Sequence, residues 1–205
     1  MEFGGAVLAK RQTDPLMKLL APDTTWPDDE LVRQCLAGDD AAWAALIDKY
    51  KRLVYSIPAK YQLPPEDAAD VFQHVWSDLY RDLGRIERVE GLRAWLITAA
   101  ARRCMLQKKR RQKMLQMSGV DPNMADDKPD PAAVHAEAER EQKIREAITF
   151  LPPRCRQMVS MLFFEQPPRP YSEVARTLGL AEGSIGFIRG RCLKKLRVLL
   201  EEMEV

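Results

Sequence analysis

Residues 172–185, Ser-Glu-Val-Ala-Arg-Thr-Leu-Gly-Leu-Ala-Glu-Gly-Ser-Ile, decide the fold of the last third of the chain. Ala175 is small enough for a second helix to cross the first closely. Gly179 is the residue type that most easily adopts the left-handed backbone of a tight turn. Ile185 is placed to pack back beneath both helices. This pattern predicts a helix-turn-helix, whose second helix enters the major groove of double-stranded DNA.

The second helix of this motif has an outer face that we predict to contact DNA, through base edges near its start and phosphates near its basic end. The residues predicted for that contact are Ser184, Phe187, Arg189, Arg191, Lys194 and Lys195. Gly186 and Gly190 each cost about 1 kcal/mol of helix stability relative to alanine. These glycines indicate either a close approach to the DNA backbone or to protein, or they are simply tolerated. The alternative for the whole motif is a helical hairpin with a solvated basic face.

Apolar residues recur at helical spacing along residues 28–100, where we expect Asp39 or Asp40 to cap a helix and Pro65 to begin one. Pro58 is expected to kink or end a helix, and Gly84 to stop one. The predicted inner face comprises Trp43, Leu46, Ile47, Tyr50, Val54, Ile57, Ala68, Val71, Phe72, Val75, Trp76, Leu79, Leu83, Leu92, Trp95, Leu96, Ala99 and Ala100.

The chain has 205 residues and a net charge of +2 at pH 7, so its overall charge indicates no particular partner. Helix-forming residues dominate, which predicts an all-α protein of two small helical domains. Charge is separated along the chain: residues 102–113 and 189–197 are basic, and residues 121–146 are mostly acidic. We predict a flexible N-terminal extension at residues 1–27, a helical domain at 28–113, a flexible acidic linker at 114–136 and the helix-turn-helix domain at 137–205.

The four cysteines, Cys35, Cys104, Cys155 and Cys192, are widely spaced and form no CxxC pair. We predict that they are buried or half-buried free thiols in a reducing cytosol. Only two histidines accompany them, so neither a metal nor a cofactor is predicted. Residues 1–20 lack the apolar core of a signal peptide, and no apolar stretch reaches membrane-spanning length. These features predict a cytoplasmic protein without membrane insertion.

Several segments resemble bacterial RNA polymerase sigma factors. The sequence Asp67-Ala-Ala-Asp-Val-Phe-Gln-His-Val-Trp76 is similar to the stretch with which sigma factors hold the polymerase clamp. The sequence Leu92-Arg-Ala-Trp-Leu96 is similar to the start of their promoter-melting helix, and a basic run follows at the expected distance. Residues 151–152, 171–175 and 182–185 resemble the sigma domain that binds the −35 element. Their order over residues 28–203 resembles the extracytoplasmic-function (ECF) type, which has only these two domains.

The resemblance implies a protein that performs no covalent chemistry and instead gives core RNA polymerase its promoter specificity. It implies that the beta and beta-prime subunits of core polymerase are contacted by Asp67, Asp70, Gln73, His74 and Trp76. It also implies contact with the −10 element of promoter DNA by Arg93, Arg102, Arg103, Lys108, Lys109, Arg110 and Arg111. Cations of this kind bind the phosphates of a melted strand. An anti-sigma factor that covers the same surfaces is compatible with this interpretation.

The sequence departs from the family pattern in three places. His74 stands where an acidic residue is usual, and residues 99–102 read Ala-Ala-Ala-Arg instead of Ile-Ala-Arg-Asn. Gly186 and Phe187 replace a polar pair in the recognition helix. We therefore expect base contact to rest more on Ser184 and the arginines, with Phe187 against a thymine methyl group.

Two features allow more than one interpretation. Trp95 could stack on an unpaired base, but its place on the apolar stripe favours a core position. The linker aspartates either imitate nucleic acid in the polymerase channel or form a solvated spacer; they are Asp121, Asp126, Asp127 and Asp130.

Rival functions are also open at this stage. The nearest is a conventional helix-turn-helix regulator whose first domain senses a signal or dimerises. The second rival is an enzyme with Glu66 and His74 as metal ligands, but the sequence has no HxxxH or ExxH pair. The third rival is an adaptor held by another helical protein. Binding to core polymerase separates the sigma interpretation from the first rival.

Overall fold

The computed structural model describes residues 23–86, 89–117 and 129–203, whose regular elements are helical, as predicted. The helices are α1 (Asp28–Leu36), α2 (Asp40–Lys60), α3 (Pro65–Asp82), α4 (Leu92–Met117), α5 (Pro131–Thr149), α6 (Pro153–Val159), α7 (Tyr171–Leu178) and α8 (Ile185–Glu202). Short 3₁₀ turns lie at Leu83–Arg85, Val89–Gly91 and Glu182–Ser184, and a π-helical turn lies at Ser160–Phe164.

The predicted helix boundaries of the first half are confirmed. The Asp39 carboxylate caps α2 by accepting hydrogen bonds from the backbone N–H groups of Ala41 at 2.8 Å and Ala42 at 3.3 Å. Pro65 occupies the first turn of α3, where its missing N–H is not needed. Pro58 lies inside α2, which ends two residues later at Lys60.

The chain divides into two compact units between Gln142 and Lys143. The first unit contains α1 to α4 and the first part of α5. Its core is built mainly on α2, which contributes Ala42, Ala45, Leu46, Tyr50, Leu53, Val54 and Ile57. Helices α3 and α4 add Val71, Val75, Leu79, Leu92, Leu96, Ile97, Ala100 and Cys104.

The first unit begins earlier than residue 28. Residues 1–22 of the predicted extension lie outside the described residues, but Trp26 is 4% exposed and belongs to the core. The Lys49 ammonium donates hydrogen bonds to the Trp26 carbonyl at 2.8 Å and to the Asp28 carboxylate at 2.7 Å. The Tyr50 hydroxyl donates to the other Asp28 oxygen at 2.5 Å. The predicted boundary at residue 27 is therefore too late, because an anchored tryptophan precedes it.

The linker predicted at residues 114–136 overlaps a helix at each of its ends. Helix α4 continues to Met117, and α5 begins at Pro131; residues 118–128, with Asp121, Asp126 and Asp127, lie outside the described part. Asp130 caps α5, since its carboxylate accepts a hydrogen bond from the Ala132 N–H at 3.0 Å.

The first part of α5 belongs to the first unit, not to the second domain that the sequence predicts from residue 137. Val134 and Ala138 are buried in its core. Lys60 forms ion pairs with Glu137 at 3.0 Å and Glu141 at 2.9 Å. Two small apolar residues among many charges make too narrow a stripe for periodicity to detect, which is why the sequence missed this packing.

The second unit contains the predicted helix-turn-helix, formed by α7 and α8. Gly179 has a φ of +61°, so the left-handed turn is confirmed. The Leu180 N–H donates to the Ala175 carbonyl at 2.8 Å and closes the turn. The buried residues of this unit are Ala147, Leu151, Met158, Val159, Met161, Val174, Ala175, Ile185, Cys192 and Leu196.

The prediction of four free thiols is wrong for two of them. Cys155 of α6 and Cys192 of α8 form a disulfide, with Cα atoms 5.3 Å apart across 37 residues of sequence. Cys35 and Cys104 are buried free thiols, and burial raises their pKa to about 11 and about 12. Spacing alone could not find the bridge, because only the packing of α6 on α8 brings the two residues together.

Candidate nucleic-acid and polymerase interfaces

The outer face of α3 brings together three of the five residues predicted for polymerase contact. Asp70, Gln73 and His74 are exposed within one turn of the helix. The His74 ring nitrogen Nδ1 lies 2.7 Å from the Asp70 backbone carbonyl, which fixes the imidazole against the helix. This face therefore presents a carboxylate, an amide and an imidazole side by side.

The other two predicted residues occupy different environments. Asp67 is half-buried and lies 3.3 Å from Arg111 of α4 in an ion pair. Trp76 is half-buried and meets Phe72 edge to face, with ring centroids 5.9 Å apart. Its indole Nε1 is buried and has no hydrogen-bond partner among the residues that the structure describes. Trp76 thus contributes to packing, as its place on the predicted inner face indicated.

An aromatic row on α2 and α3 was missed by the sequence analysis as a candidate surface. It consists of Trp43, Tyr55, Phe72, Trp76 and Tyr80. Tyr55 meets Phe72 at 6.1 Å and Trp43 meets Tyr80 at 5.3 Å, between ring centroids. Tyr80 is 72% exposed and Tyr55 is 50% exposed. The four-residue spacing of the three α3 aromatics was a usable signal, since it places Phe72, Trp76 and Tyr80 on one side of the helix.

Helix α4 has two distinct halves. Its buried residues end at Cys104, so the 13 residues that follow, to Met117, carry no fully buried side chain. The second half is the basic run that the sequence assigns to the −10 element. A basic helix with no buried face is available for contact with nucleic acid.

Not every cation of this run is available. The Arg103 guanidinium donates to the Asp78 carboxylate from Nε at 2.9 Å and from Nη2 at 2.7 Å. Arg111 is engaged by Asp67. These two ion pairs join α4 to α3, so Arg103 and Arg111 take part in packing within the unit. Their predicted contact with DNA stays a prediction.

The remaining predicted −10 residues differ in exposure. Arg102, Lys109 and Arg110 are exposed, whereas Arg93 and Lys108 are half-buried. Trp95 is also half-buried and packs against the core of the first unit, which agrees with the core position favoured by the sequence.

We expect Asp78→Asn to destabilise the first unit by about 1–3 kcal/mol, because it leaves the partly buried Arg103 guanidinium without its carboxylate partner. Urea unfolding followed by circular dichroism measures the change. Asp82→Asn is the matched control, since Asp82 pairs with the 85% exposed Arg85 at 3.3 Å and such surface pairs contribute little. Equal effects of the two substitutions would contradict a structural role for the Asp78–Arg103 pair.

The recognition helix α8 presents an exposed face formed by Phe187, Arg191, Lys194 and Lys195. Phe187 is 70% exposed, and the Arg191 guanidinium lies 5.5 Å from the centre of its ring. Ser184 is half-buried just before α8 and donates to the Ala181 carbonyl at 2.7 Å. An exposed phenyl ring beside an arginine supplies both an apolar and a cationic contact for a DNA groove.

Arg189 does not belong to that face. Its guanidinium donates to the Tyr171 hydroxyl and lies 5.8 Å from the centre of the Tyr171 ring. At 3.6 residues per turn, Arg189 is about 160° around the helix from Arg191. In this structure Arg189 joins α8 to the start of α7, and its predicted contact with DNA stays a prediction.

The glycines of the recognition helix are not required by packing. A Cβ atom added at Gly186 or Gly190 would meet nothing within 4 Å. We expect Gly190→Ala to stabilise the second unit by about 1 kcal/mol, because alanine is the better helix former. Thermal unfolding measures the gain, and a gain accompanied by weaker DNA binding would indicate that the glycine admits the DNA backbone. A loss of stability would contradict the open surroundings.

The described residues contain no group of three or more histidine, cysteine or acidic side chains that could hold a metal ion. Among the helices they form, none is long and apolar enough to cross a lipid bilayer.

Comparison with protein families matches residues 46–114 to sigma-70 region 2. The match begins in α2, includes the whole of α3 and ends near the end of α4, so it contains the outer face of α3, the basic part of α4 and the aromatic row except Trp43. No curated protein sequence matches the chain.

Two solved structures are similar over most of their length. One is the structure of CnrH in complex with the cytosolic domain of CnrY, with 18% identity, a TM-score of 0.37 and coverage of 85% of this chain and 97% of that chain. The other is the RsbN–BldN complex, with 20% identity, a TM-score of 0.31 and coverage of 82% and 98%.

Proposed function

Since residues 46–114 match sigma-70 region 2, we propose that this chain is a sigma factor of the two-domain ECF type and that its two units divide the work of promoter recognition. As a sigma factor it binds core RNA polymerase and directs transcription initiation at specific promoters. The observation that carries the assignment is the region 2 match over α2, α3 and α4. Its place of action is the cytoplasm, where the polymerase works.

Core polymerase is bound by the outer face of α3 and the adjoining aromatic row. Asp70, Gln73 and His74 are exposed and supply polar contacts. Tyr80 supplies a large exposed ring, and aromatic residues are often the main contributors of binding energy at protein interfaces. Asp67 assists indirectly, since its ion pair with Arg111 sets the position of α4.

The −10 element is bound by the second half of α4. Lys109 and Arg110 are exposed and lie on the part of the helix that has no buried side chain, and Arg102 is exposed just before that part begins. They bind the phosphates of the melted strand, whose separation costs a few kcal/mol for each unstacked base.

The −35 element is bound by α8. Phe187 and Arg191 contact base edges, and Lys194 and Lys195 bind phosphates. Each unit alone makes a weak contact, but the chain that joins them raises the effective concentration of the second after the first has bound. An anti-sigma factor acts by covering the α3 face and the aromatic row.

Run-off transcription with purified core polymerase, the full chain and a library of randomised −35 and −10 sequences tests this function. We expect enrichment of a defined promoter pair that core polymerase alone does not transcribe. The double variant Lys109→Ala/Arg110→Ala is expected to retain core binding but to lose strand opening by about 10-fold or more, because two charge-assisted contacts are removed. No enrichment of any promoter would contradict the proposal.

If the chain were instead a conventional helix-turn-helix regulator, the same purified proteins would give a different binding result. A regulator of that kind binds duplex DNA without being retained by core polymerase. Co-elution of the full chain with core enzyme, in the absence of DNA, separates the two functions, and failure to co-elute would favour the regulator.

A further inference from the structure

The disulfide between Cys155 and Cys192 lies inside the DNA-binding unit and joins α6 to the recognition helix. Cys192 is 1% exposed, whereas Cys155 is half-buried. One sulfur is therefore protected by the core while the other is within reach of a small thiol or disulfide. Neither residue is part of the surfaces assigned above to polymerase or promoter contact.

Helix α6 is connected to both helices of the helix-turn-helix. Its Arg154 guanidinium donates to the Leu178 carbonyl at the end of α7, at 2.9 Å. Its Cys155 is bonded to Cys192 of α8. The bond thus fixes α8 to the same short helix that holds the end of α7 just before the turn. Arg191, the predicted base contact, is the immediate neighbour of Cys192.

A structural disulfide is unusual in a chain that works beside core polymerase. The cytosol is reducing, and disulfides found there in ordinary organisms are usually transient, catalytic or redox-sensing. We propose that Cys155 and Cys192 form a reversible thiol–disulfide switch that sets the rigidity of the recognition helix and, through it, the affinity for the upstream promoter element. The proposal rests on the function proposed for α8.

The chemistry needs only a small-molecule disulfide as oxidant and a small thiol as reductant. The Cys155 thiolate attacks one sulfur of the oxidant, forms a mixed disulfide and releases one thiol. The Cys192 thiolate then attacks the Cys155 sulfur, closes the protein disulfide and releases the second thiol. Two protein thiols and one small disulfide thus become one protein disulfide and two small thiols, and excess thiol reverses both steps.

The surroundings of Cys155 favour its role as the entry point. Cys155 is half-buried whereas Cys192 is 1% exposed, so a small thiol or disulfide reaches Cys155 first. Cys35 and Cys104 are poor alternatives, since both are buried in the first unit. The switch is therefore expected to operate in the second unit without interference from the other two thiols.

The effect of the bond on rigidity follows from its span. A crosslink that closes a loop of 37 residues restricts the unfolded chain strongly and holds two packed helices in register. Without it, Cys192 remains a small buried apolar residue, so the fold persists but α8 is less firmly fixed. The oxidised form should therefore be the tighter DNA binder.

The test uses the full chain at two redox settings, with excess oxidised glutathione and with excess dithiothreitol. Alkylation after denaturation, followed by mass spectrometry, should count two labels in the oxidised protein and four in the reduced protein. Reduction should lower the melting temperature of the second unit by roughly 10 °C or more. It should also weaken binding to a duplex enriched from a random library by about 3- to 10-fold, as expected for partial loss of preorganisation.

The double variant Cys155→Ser/Cys192→Ala removes the bond in both settings, and its melting temperature and DNA affinity should not respond to glutathione or dithiothreitol. Equal affinity and equal melting of oxidised and reduced wild-type protein would overturn the switch. If neither form binds duplex DNA while the melting temperatures differ, the proposed function of α8 fails, and with it the DNA-affinity part of the switch. A constant count of four labels would overturn the bond itself.

Discussion

Replacing Tyr80 with alanine is expected to weaken binding to core RNA polymerase by about 30- to 700-fold, which corresponds to about 2–4 kcal/mol for a central aromatic contact. The ring is 72% exposed and adjoins Trp43, so it offers a large rigid surface whose ordering costs little. Because the side chain is mostly exposed, its removal should leave the first unit folded. Titration of labelled full-length protein with core enzyme measures the change.

The matched control for Tyr80 is Lys51→Ala. Lys51 is exposed on α2, and its ion-pair partner among the described residues is the equally exposed Asp48, so its removal should change neither folding nor core binding. A third variant, Gln73→Ala, tests the polar part of the same surface and should weaken binding by a smaller factor. Unchanged affinity of the Tyr80 variant, with circular dichroism like that of the wild type, would contradict the assignment of the aromatic row to the polymerase interface.

The parts of the fold that sequence could predict are those set by local chemistry. The helix-turn-helix depends on Ala175 and Gly179, which are separated by one turn of helix and perform their roles through size and backbone conformation. The start of α2 depends on Asp39, whose carboxylate accepts hydrogen bonds from the N–H groups of Ala41 and Ala42. Features of this kind are visible in any window of a few residues.

The parts that sequence missed depend on contacts between distant segments. The Cys155–Cys192 bond spans 37 residues, and the Arg103–Asp78 ion pair spans 25. The residues of a basic run therefore look equivalent in sequence. In the structure, however, Arg103 forms an ion pair with Asp78, whereas its neighbour Arg102 is exposed. The packing of α5 on α2 was missed for the same reason.

At the candidate sites, some features could have been predicted from the sequence by considering where each residue lies around its helix. Helical geometry alone places Arg189 about 160° around α8 from Arg191, so the two side chains lie on different faces of the helix. The four-residue spacing of Phe72, Trp76 and Tyr80 likewise places them on one face of α3. In both cases angular position around the helix separates residues that composition alone groups together.

Arg191→Ala is expected to weaken binding of the full chain to its upstream duplex by at least about 10-fold, since a charge-assisted contact to a base or phosphate is worth roughly 1.5–3 kcal/mol. If the guanidinium contacts a phosphate, the slope of log affinity against log salt should fall by about 0.9; if it contacts a base edge, the loss should be concentrated on the preferred sequence. Fluorescence anisotropy over a salt series distinguishes the two.

Arg189→Ala provides the control, because it removes the same residue type and the same charge from the same helix. The Arg189 guanidinium is held by Tyr171, so its removal should lower the stability of the second unit while changing duplex affinity by less than about 3-fold, the size of a screened long-range charge effect. A triple variant, Arg191→Ala/Lys194→Ala/Lys195→Ala, should lower the salt slope by up to about 3. The reverse pattern, with Arg189 needed for affinity and Arg191 dispensable, would mean that DNA lies against the opposite side of α8, where Tyr171 and the start of α7 would form the contact instead.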